Sequence, residues 1–285
     1  MADNIISVDD LAPAQIAEKT VTIGVKKTSY DFWTMFALAI YGGAFIAIGA
    51  IMATTIGTLP KDYPFGVSVL LKGLIFSVGL ILVIVAGAEL FTGNNLILMA
   101  VLSKKAKLSG MLRNWGVVYL GNFVGSVIMA LLIALSHQYT MGGGGIGQTM
   151  FKIAEAKSSL AFIPAVALGI LCNILVCLAV WMAFSARTTA GKIAAIIPPI
   201  TAFVAAGFEH SVANMYFLPV ALFVKAFDPE FVAKLGFEVP HVTWGNFLLH
   251  NLLPVTIGNI IGGAGLVGSL YWWIYGRDTT VAPAK

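Results

Sequence analysis

The stretch Phe208-Glu209-His210-Ser211-Val212-Ala213-Asn214 decides the fold, because it places an acid, a base and an amide between two apolar runs. The runs cover residues 193–207 and 215–224. A charge at bilayer depth is costly, so an ionisable residue inside an apolar segment marks a candidate functional site. We therefore expect a functional break in a membrane-spanning helix at this position.

The stretch has a twin 120 positions earlier, Ala86-Gly87-Ala88-Glu89-Leu90-Phe91-Thr92-Gly93-Asn94. Both copies carry a glycine, a glutamate two positions later and an asparagine seven positions after the glycine. The matching residues are Gly87 and Gly207, Glu89 and Glu209, Asn94 and Asn214, with Lys72 and Lys192 upstream. The recurrence predicts two related halves.

The composition indicates a polytopic membrane protein with a single domain. Hydrophobic residues make up 59% of the 285 positions and charged residues 11%, whereas soluble domains carry about 25% charged residues. The net charge of +4 is mild and bears on loop topology rather than on nucleic acid. The two cysteines, Cys172 and Cys177, lie in one apolar run and face different directions on a helix, so neither a disulfide nor a metal site is predicted, and no cofactor is expected.

Six apolar segments predict an all-α protein with six transmembrane helices. A span needs about 20 apolar residues, and the second and fifth segments reach that length only by running through their polar breaks. Since a break exposed to lipid would leave backbone groups unsatisfied, both breaks should be buried or line a cavity. The segments cover about residues 32–56, 67–88 with 96–102, 115–135, 160–184, 193–207 with 215–224, and 247–275.

Loop charges predict the orientation. The positive-inside rule places in the cytoplasm both termini and the two loops that carry lysine and arginine without acids, with Lys104, Lys105, Lys107 and Arg113 in one and Arg187 and Lys192 in the other. The predicted parts are an N-terminal segment (1–28), a channel domain (29–276, with repeats of about 29–135 and 160–276) and a tail (277–285). The N-terminal segment is predicted to form a short helix at the membrane surface, which either anchors the chain there or gates the pore.

The two halves should insert with opposite topology, because each contains three spans. A second match supports this, since Gly121-Asn122-Phe123-Val124-Gly125 resembles Gly258-Asn259-Ile260-Ile261-Gly262. Inverted repeats with paired broken helices indicate a site near the bilayer midplane. We expect the repeated acids and amides to support the breaks, with the carboxylates accepting backbone N–H bonds; they are Glu89, Glu209, Asn94, Asn214, Asn122 and Asn259.

Four motifs resemble the formate–nitrite transporter family, and in particular its bacterial formate channels. They are Glu89-Leu90-Phe91-Thr92, Asn173 with Val176-Cys177-Leu178-Ala179-Val180-Trp181, Gly207 to Met215, and Pro254-Val255-Thr256-Ile257-Gly258-Asn259. The resemblance covers about residues 8–276. It implies an aquaporin-like fold, a homopentamer with one pore per protomer in the bacterial inner membrane, and small monovalent anions as cargo, formate first.

The resemblance also implies roles for single residues. His210 would be the central polar residue of the pore, Thr92 would face it, and Asn173 would add a second hydrogen-bonding group. Lys157 would lie in the outer vestibule and attract anions. Two constrictions would flank this centre, the cytoplasmic one formed by Leu90, Phe91 and Val176 and the periplasmic one by Phe76, Leu80 and Phe203.

Two transport mechanisms remain open at this stage. In one, His210 gives a proton to the anion, which passes as a near-neutral species; in the other, His210 is a fixed hydrogen-bond donor to a permeating anion. Nitrite or hydrosulfide as cargo and a proton–anion symporter are the alternatives. An enzyme or redox subunit would need paired haem histidines, a metal cluster or a nucleotide loop, and the sequence contains none of them.

Overall fold

The computed structural model describes residues 10–60 and 63–277, and these residues form helices without strands. Five of the helices are long and apolar enough to cross a membrane. The elements are α1 (Pro13–Ser29), α2 (Phe32–Ile56), α3 (Phe65–Gly87), α4 (Gly93–Leu102), α5 (Leu108–Leu135), α6 (Gly145–Ser158), α7 (Phe162–Ser185), α8 (Thr189–Ala205), α9 (Ser211–Phe227), α10 (Pro229–Ala233) and α11 (Asn246–Gly276).

The two halves of the chain pack in the same way. Helix α2 packs along α5 in the first half, α7 packs along α11 in the second, and α3 lies against α8 between them. Glycines allow the close approach within each half, because a Cβ on Gly125 would overlap the carbonyl oxygen of Ile40 and one on Gly262 would overlap that of Ile170.

Non-helical backbone separates α3 from α4 and α8 from α9. Gly87 is the last residue of α3 and has a φ of 91°, and Gly207 follows the end of α8 and has a φ of 72°. This left-handed conformation costs little only for glycine, and a Cβ at either position would meet nothing within 4 Å. Backbone conformation, rather than space, therefore explains the two glycines. The fifth predicted segment corresponds to α8 and α9, each of which has 17 residues.

Helix α1 covers the end of the bundle where α4 lies. Its first residue is Pro13, and the side chain of Gln15 accepts a hydrogen bond from the N–H of Ala12 (2.9 Å). Gly24 of α1 lies against Ala100 of α4, and Lys19 donates to the carbonyl of Phe184 at the end of α7 (2.6 Å). These contacts attach the N-terminal helix to both halves.

Candidate functional site

His210 lies at the start of α9 and is buried, with 3% of its surface exposed. Its Nδ1 accepts a hydrogen bond from the N–H of Ala213 (3.1 Å), which caps the helix, and its Nε2 lies 3.0 Å from Oγ1 of Thr92. An accepting Nδ1 carries no proton, so the neutral ring carries its proton on Nε2. Nε2 therefore donates to Oγ1 of Thr92, and of the two donor protons of the pair only the hydroxyl proton of Thr92 is not used within it.

Thr92 is fully buried in the break between α3 and α4. Its carbonyl accepts from Nδ2 of Asn173 (3.3 Å) and from the thiol of Cys177 (3.4 Å). The amide of Asn173 also donates to the carbonyl of Asn259 (2.7 Å). Asn173 therefore binds backbone carbonyls of both halves, and its role as a second pore-facing donor stays a prediction.

Two asparagines hold the two breaks with the same set of contacts. The side chain of Asn122 donates to the carbonyl of Glu89 (2.8 Å) and accepts from the N–H of Phe91 (2.9 Å). In the other half, Asn259 donates to the carbonyl of Glu209 (3.0 Å) and accepts from the N–H of Ser211 (2.9 Å). Each amide satisfies backbone groups that the broken helix leaves without partners.

The two glutamates form buried ion pairs. Nζ of Lys27 lies 2.8 Å from Oε1 of Glu89, and Nζ of Lys157 lies 2.7 Å from Oε1 of Glu209. In the second cluster the amide of Asn214 donates to the carboxylate at 2.7 Å, and Asn94 does the same for Glu89 at 2.6 Å. In the described part of the chain both carboxylates accept from side chains, whereas we predicted backbone N–H donors.

Lys27 is the functional-site candidate that the sequence reasoning missed. It also donates to Oδ1 of Asn94 (2.7 Å), so α1 supplies a charge to the core of the first break. The repeat contains a signal for it. The N–H groups of the two glutamates donate to the carbonyls of Leu38 and Leu168, which are 130 positions apart. Lys27 and Lys157 are separated by the same 130 positions.

Two cavities approach the His210–Thr92 pair. The α1 cavity, of about 510 Å³, is lined by Leu90 of the first break and by residues of α1, α3 and α8. The α6 cavity, of about 250 Å³, is lined by His210 itself and by residues that include Lys157 of α6. Leu90 and Gly93, which flank Thr92 in the sequence, line the α1 cavity, and His210 lines the α6 cavity, so each member of the pair adjoins one of the two cavities.

Four of the six apolar residues assigned to the constrictions line these two cavities. The rings of Phe76 and Phe203 meet edge to face at 5.6 Å and line the α6 cavity, and Phe203 stacks on His210 at 5.9 Å. Leu80 lies one turn beyond Phe76 and lines the α1 cavity with Leu90, so Leu80 and Phe76, which were assigned to one constriction, line different cavities.

The other two assigned side chains are buried in the packing. Phe91 packs edge to face on Tyr119 (4.9 Å) and Trp115 (6.1 Å), so its ring contacts α5. Val176 is 1% exposed and neighbours Cys177 on α7. Neither residue belongs to the lining of the two cavities. Among the described residues, no group of histidine, cysteine or acidic side chains could hold a metal ion.

Comparison with known proteins gives relatives over nearly the whole chain. The model of the formate/nitrite transporter family matches residues 14–273. The formate channel FocA of Escherichia coli K12 is 43% identical over 274 residues, which cover 95% of this chain and 96% of that protein.

Solved structures agree with the sequence comparison. A structure described as a pentameric formate channel with formate bound is 43% identical, with a TM-score of 0.78 over 86% of this chain and 97% of that one. A channel of the same family is 30% identical, with a TM-score of 0.79 over 91% and 98% of the two chains. The chain is thus a helical membrane protein that belongs to the formate/nitrite transporter family.

Proposed function

We propose that this chain is a passive channel for formate and related small monovalent anions. Each protomer of a homopentamer in the bacterial inner membrane would contain one pore through six spans, the second and fifth of them broken. The α1 cavity would open to the cytoplasm, where both termini lie, and the α6 cavity would open to the periplasm. The name of the FocA relative and the pentameric formate-bound homologue support this proposal.

The observation that carries the proposal is the pair of hydrogen-bond donors between two cavities. An anion loses water when it passes apolar side chains, and an unpaired buried charge costs many kcal/mol. The Nε2–H of His210 and the hydroxyl of Thr92 can replace part of the lost hydration, and a hydrogen bond to a charged acceptor is worth about twice a neutral one. The rings of Phe76 and Phe203, which meet edge to face beside His210, would restrict the passage to small ions.

The cap on α9 favours a fixed donor over a transferable proton. If the neutral ring gave its Nε2 proton to formate, it would become an anion. Proton transfer to formate therefore requires that the ring is first doubly protonated. Double protonation would break the bond from the N–H of Ala213 to Nδ1 and would place a positive charge at the positive end of a helix. We therefore propose that the anion crosses as an anion.

Transport in liposomes of the purified protein tests the proposal. We expect uptake of radiolabelled formate, with nitrite as the competing cargo in parallel vesicles. In planar bilayers, a passive anion channel should carry a current whose reversal potential ignores an imposed proton gradient. A symporter that moves one proton with each monovalent anion transfers no net charge, so it should carry no such current. Absence of formate uptake in vesicles that contain intact pentamers would refute the proposed cargo.

A further inference from the structure

The lysine that the resemblance assigned to anion attraction is already neutralised. Nζ of Lys157 lies 2.7 Å from the carboxylate of Glu209 and 5.4 Å from the centre of the Phe217 ring. Its side chain is 16% exposed, so water screens this pair only weakly. The pair therefore contributes little net charge to the α6 cavity.

A second lysine lines the same cavity. Lys72 of α3 is half-buried and belongs to the lining of the α6 cavity together with Lys157, Glu209 and His210. It precedes Phe76 by four positions, which puts both on one face of the helix with Lys72 one turn closer to the N-terminal end of α3. An anion that enters along α3 would meet Lys72 before it meets the ring of Phe76.

The charge of Lys72 has no acidic partner among residues 10–60 and 63–277. Its stem lies beside the end of α2, because a Cβ on Gly57 would lie 3.0 Å from Cδ of Lys72. The cavity thus contains one lysine that is paired, one carboxylate that pairs it and one lysine whose charge is not offset within the described chain.

The inverted repeat gives the α1 cavity an equivalent residue. Lys192 follows Lys72 by 120 positions, the offset that relates the two breaks, and it lines the α1 cavity. That cavity also contains the paired Lys27 with Glu89, and Lys19. Desolvation, and then the nearby charges of Lys192 and Arg187, lower the pKa of Lys19, which indicates an excess of positive charge here.

We propose that Lys72 is the anion-recruiting residue of the α6 cavity and that Lys192 is its counterpart in the α1 cavity. The lysines paired with the buried glutamates hold the breaks, and this second pair of lysines draws monovalent anions towards the His210–Thr92 donors. The proposal rests on the proposed function of the pore and assigns one step of it, the capture of the anion, to two residues outside the breaks.

The test measures formate conductance in planar bilayers at about 10 mM salt, where the Debye length is about 30 Å, and again at about 1 M of a salt with a bulky anion, where it is about 3 Å. Lys72→Met removes the charge and keeps the length of the side chain, and Lys72→Arg is the matched control. We expect Lys72→Met pentamers to conduct about tenfold less than wild type at low salt, the lower end of what a charged cleft adds to capture, and to match wild type at high salt. Lys72→Arg should stay within twofold of wild type.

A charge-restoration experiment distinguishes loss of the charge at position 72 from misfolding of the variant. Lys72→Cys should regain conductance with aminoethyl methanethiosulfonate, which adds a positive charge, and should not regain it with the negative sulfonatoethyl reagent. Both native cysteines are buried with no exposed surface, so the reagents report on position 72.

Three results would overturn the role of Lys72: wild-type conductance in Lys72→Met at low salt, a deficit of equal size at both salts, or the same response to both reagents. A capping role for Lys72 at the end of α2 would instead lower the melting temperature without a salt-dependent loss of conductance. Wild-type pentamers that conduct nitrite but not formate refute only the proposed cargo, and the series then decides the role of Lys72 with nitrite. Wild-type pentamers that conduct neither anion refute the pore function and the role of Lys72 together.

Discussion

Replacement of Lys157 by methionine tests whether this lysine is locked in the core or free in a vestibule. Glu209 is 4% exposed, and in the variant its carboxylate would keep the bond from Asn214 but lose Nζ of Lys157. Removal of one partner of a buried ion pair costs about 3–5 kcal/mol, because the other charge stays buried without compensation. We expect the free energy of unfolding to fall by that amount.

The assay is thermal unfolding of the detergent-solubilised protein, in which the expected loss corresponds to about 10 °C. The double variant Lys157→Met with Glu209→Gln should regain most of the loss, because a neutral amide can still accept from Asn214 and no longer needs a counter-charge. Lys152→Met is the matched control on the same helix: its Nζ lies 5.6 Å from the Phe237 ring, and we expect a change within about 0.5 kcal/mol.

If Lys157→Met had the same melting temperature as the Lys152→Met control, Lys157 would not be the partner that compensates the charge of Glu209. Equal stability would mean that Glu209 has other compensation and that Lys157 is available to solutes in the α6 cavity. A double variant no more stable than Lys157→Met would equally contradict the description of the pair as a mutually compensated unit.

Three further outcomes are expected. Thr92→Val should lower formate uptake while size-exclusion chromatography shows unchanged assembly, because it removes a hydroxyl and nearly keeps the shape; unchanged uptake would remove Thr92 from the pathway. Gly207→Ala should lower the melting temperature through a loss of about 1–2 kcal/mol, because alanine is strained at φ of 72°, whereas Gly66→Ala, at an open helical position, should not. Hydrogen bonds from the N–H of Phe231 and, second, from the hydroxyl of Tyr139 lower the pKa of Asp228. The carboxylate therefore stabilises the fold above the ordinary aspartate pKa of about 4, and this contribution is lost as the pH falls through the pKa of the folded state. Melting temperatures measured from about pH 6 to 3 should fall less for Asp228→Asn than for wild type.

The helical class and the positions of the breaks could be predicted because both are written in local sequence. An apolar run is interrupted by the same glycine, glutamate and asparagine in each half. Helix α3 ends at Gly87, and α8 ends two residues before Gly207. The contacts of Asn122 and Asn259 follow from the same repeat, since an amide near a break has unsatisfied backbone groups to bind.

The directions of single side chains could not be predicted in this way. Successive helical residues differ by about 100° in direction, so nothing local tells whether Leu80 lines the cavity of Phe76 or that of Leu90. Phe91 belongs to a break, where no helical period applies, and its ring contacts α5. Lys27 lies in a polar segment that reads as a surface helix, and only the fold places its ammonium beside Glu89.

The partnership of charges was hidden for the same reason. The sequence predicts a solvated charge for Lys157 in a vestibule, whereas α6 places its Nζ beside the carboxylate of Glu209, which is 52 positions further along the chain. Lys72 reads as one charge in an apolar helix, and its meaning depends on which cavity it lines and on the absence of a described acidic neighbour. Such properties belong to tertiary packing, not to sequence pattern.

The formate conductance of pentamers with His210→Phe, measured beside pentamers with His210→Asn from about pH 5 to 8, tests the central claim most directly. Phenylalanine fills a similar volume but offers no donor, whereas asparagine keeps an oxygen that can cap α9 and an amide that can donate to an anion. We expect no measurable formate conductance for His210→Phe and substantial conductance for His210→Asn across this range. Conductance of His210→Phe equal to wild type at every pH would contradict it.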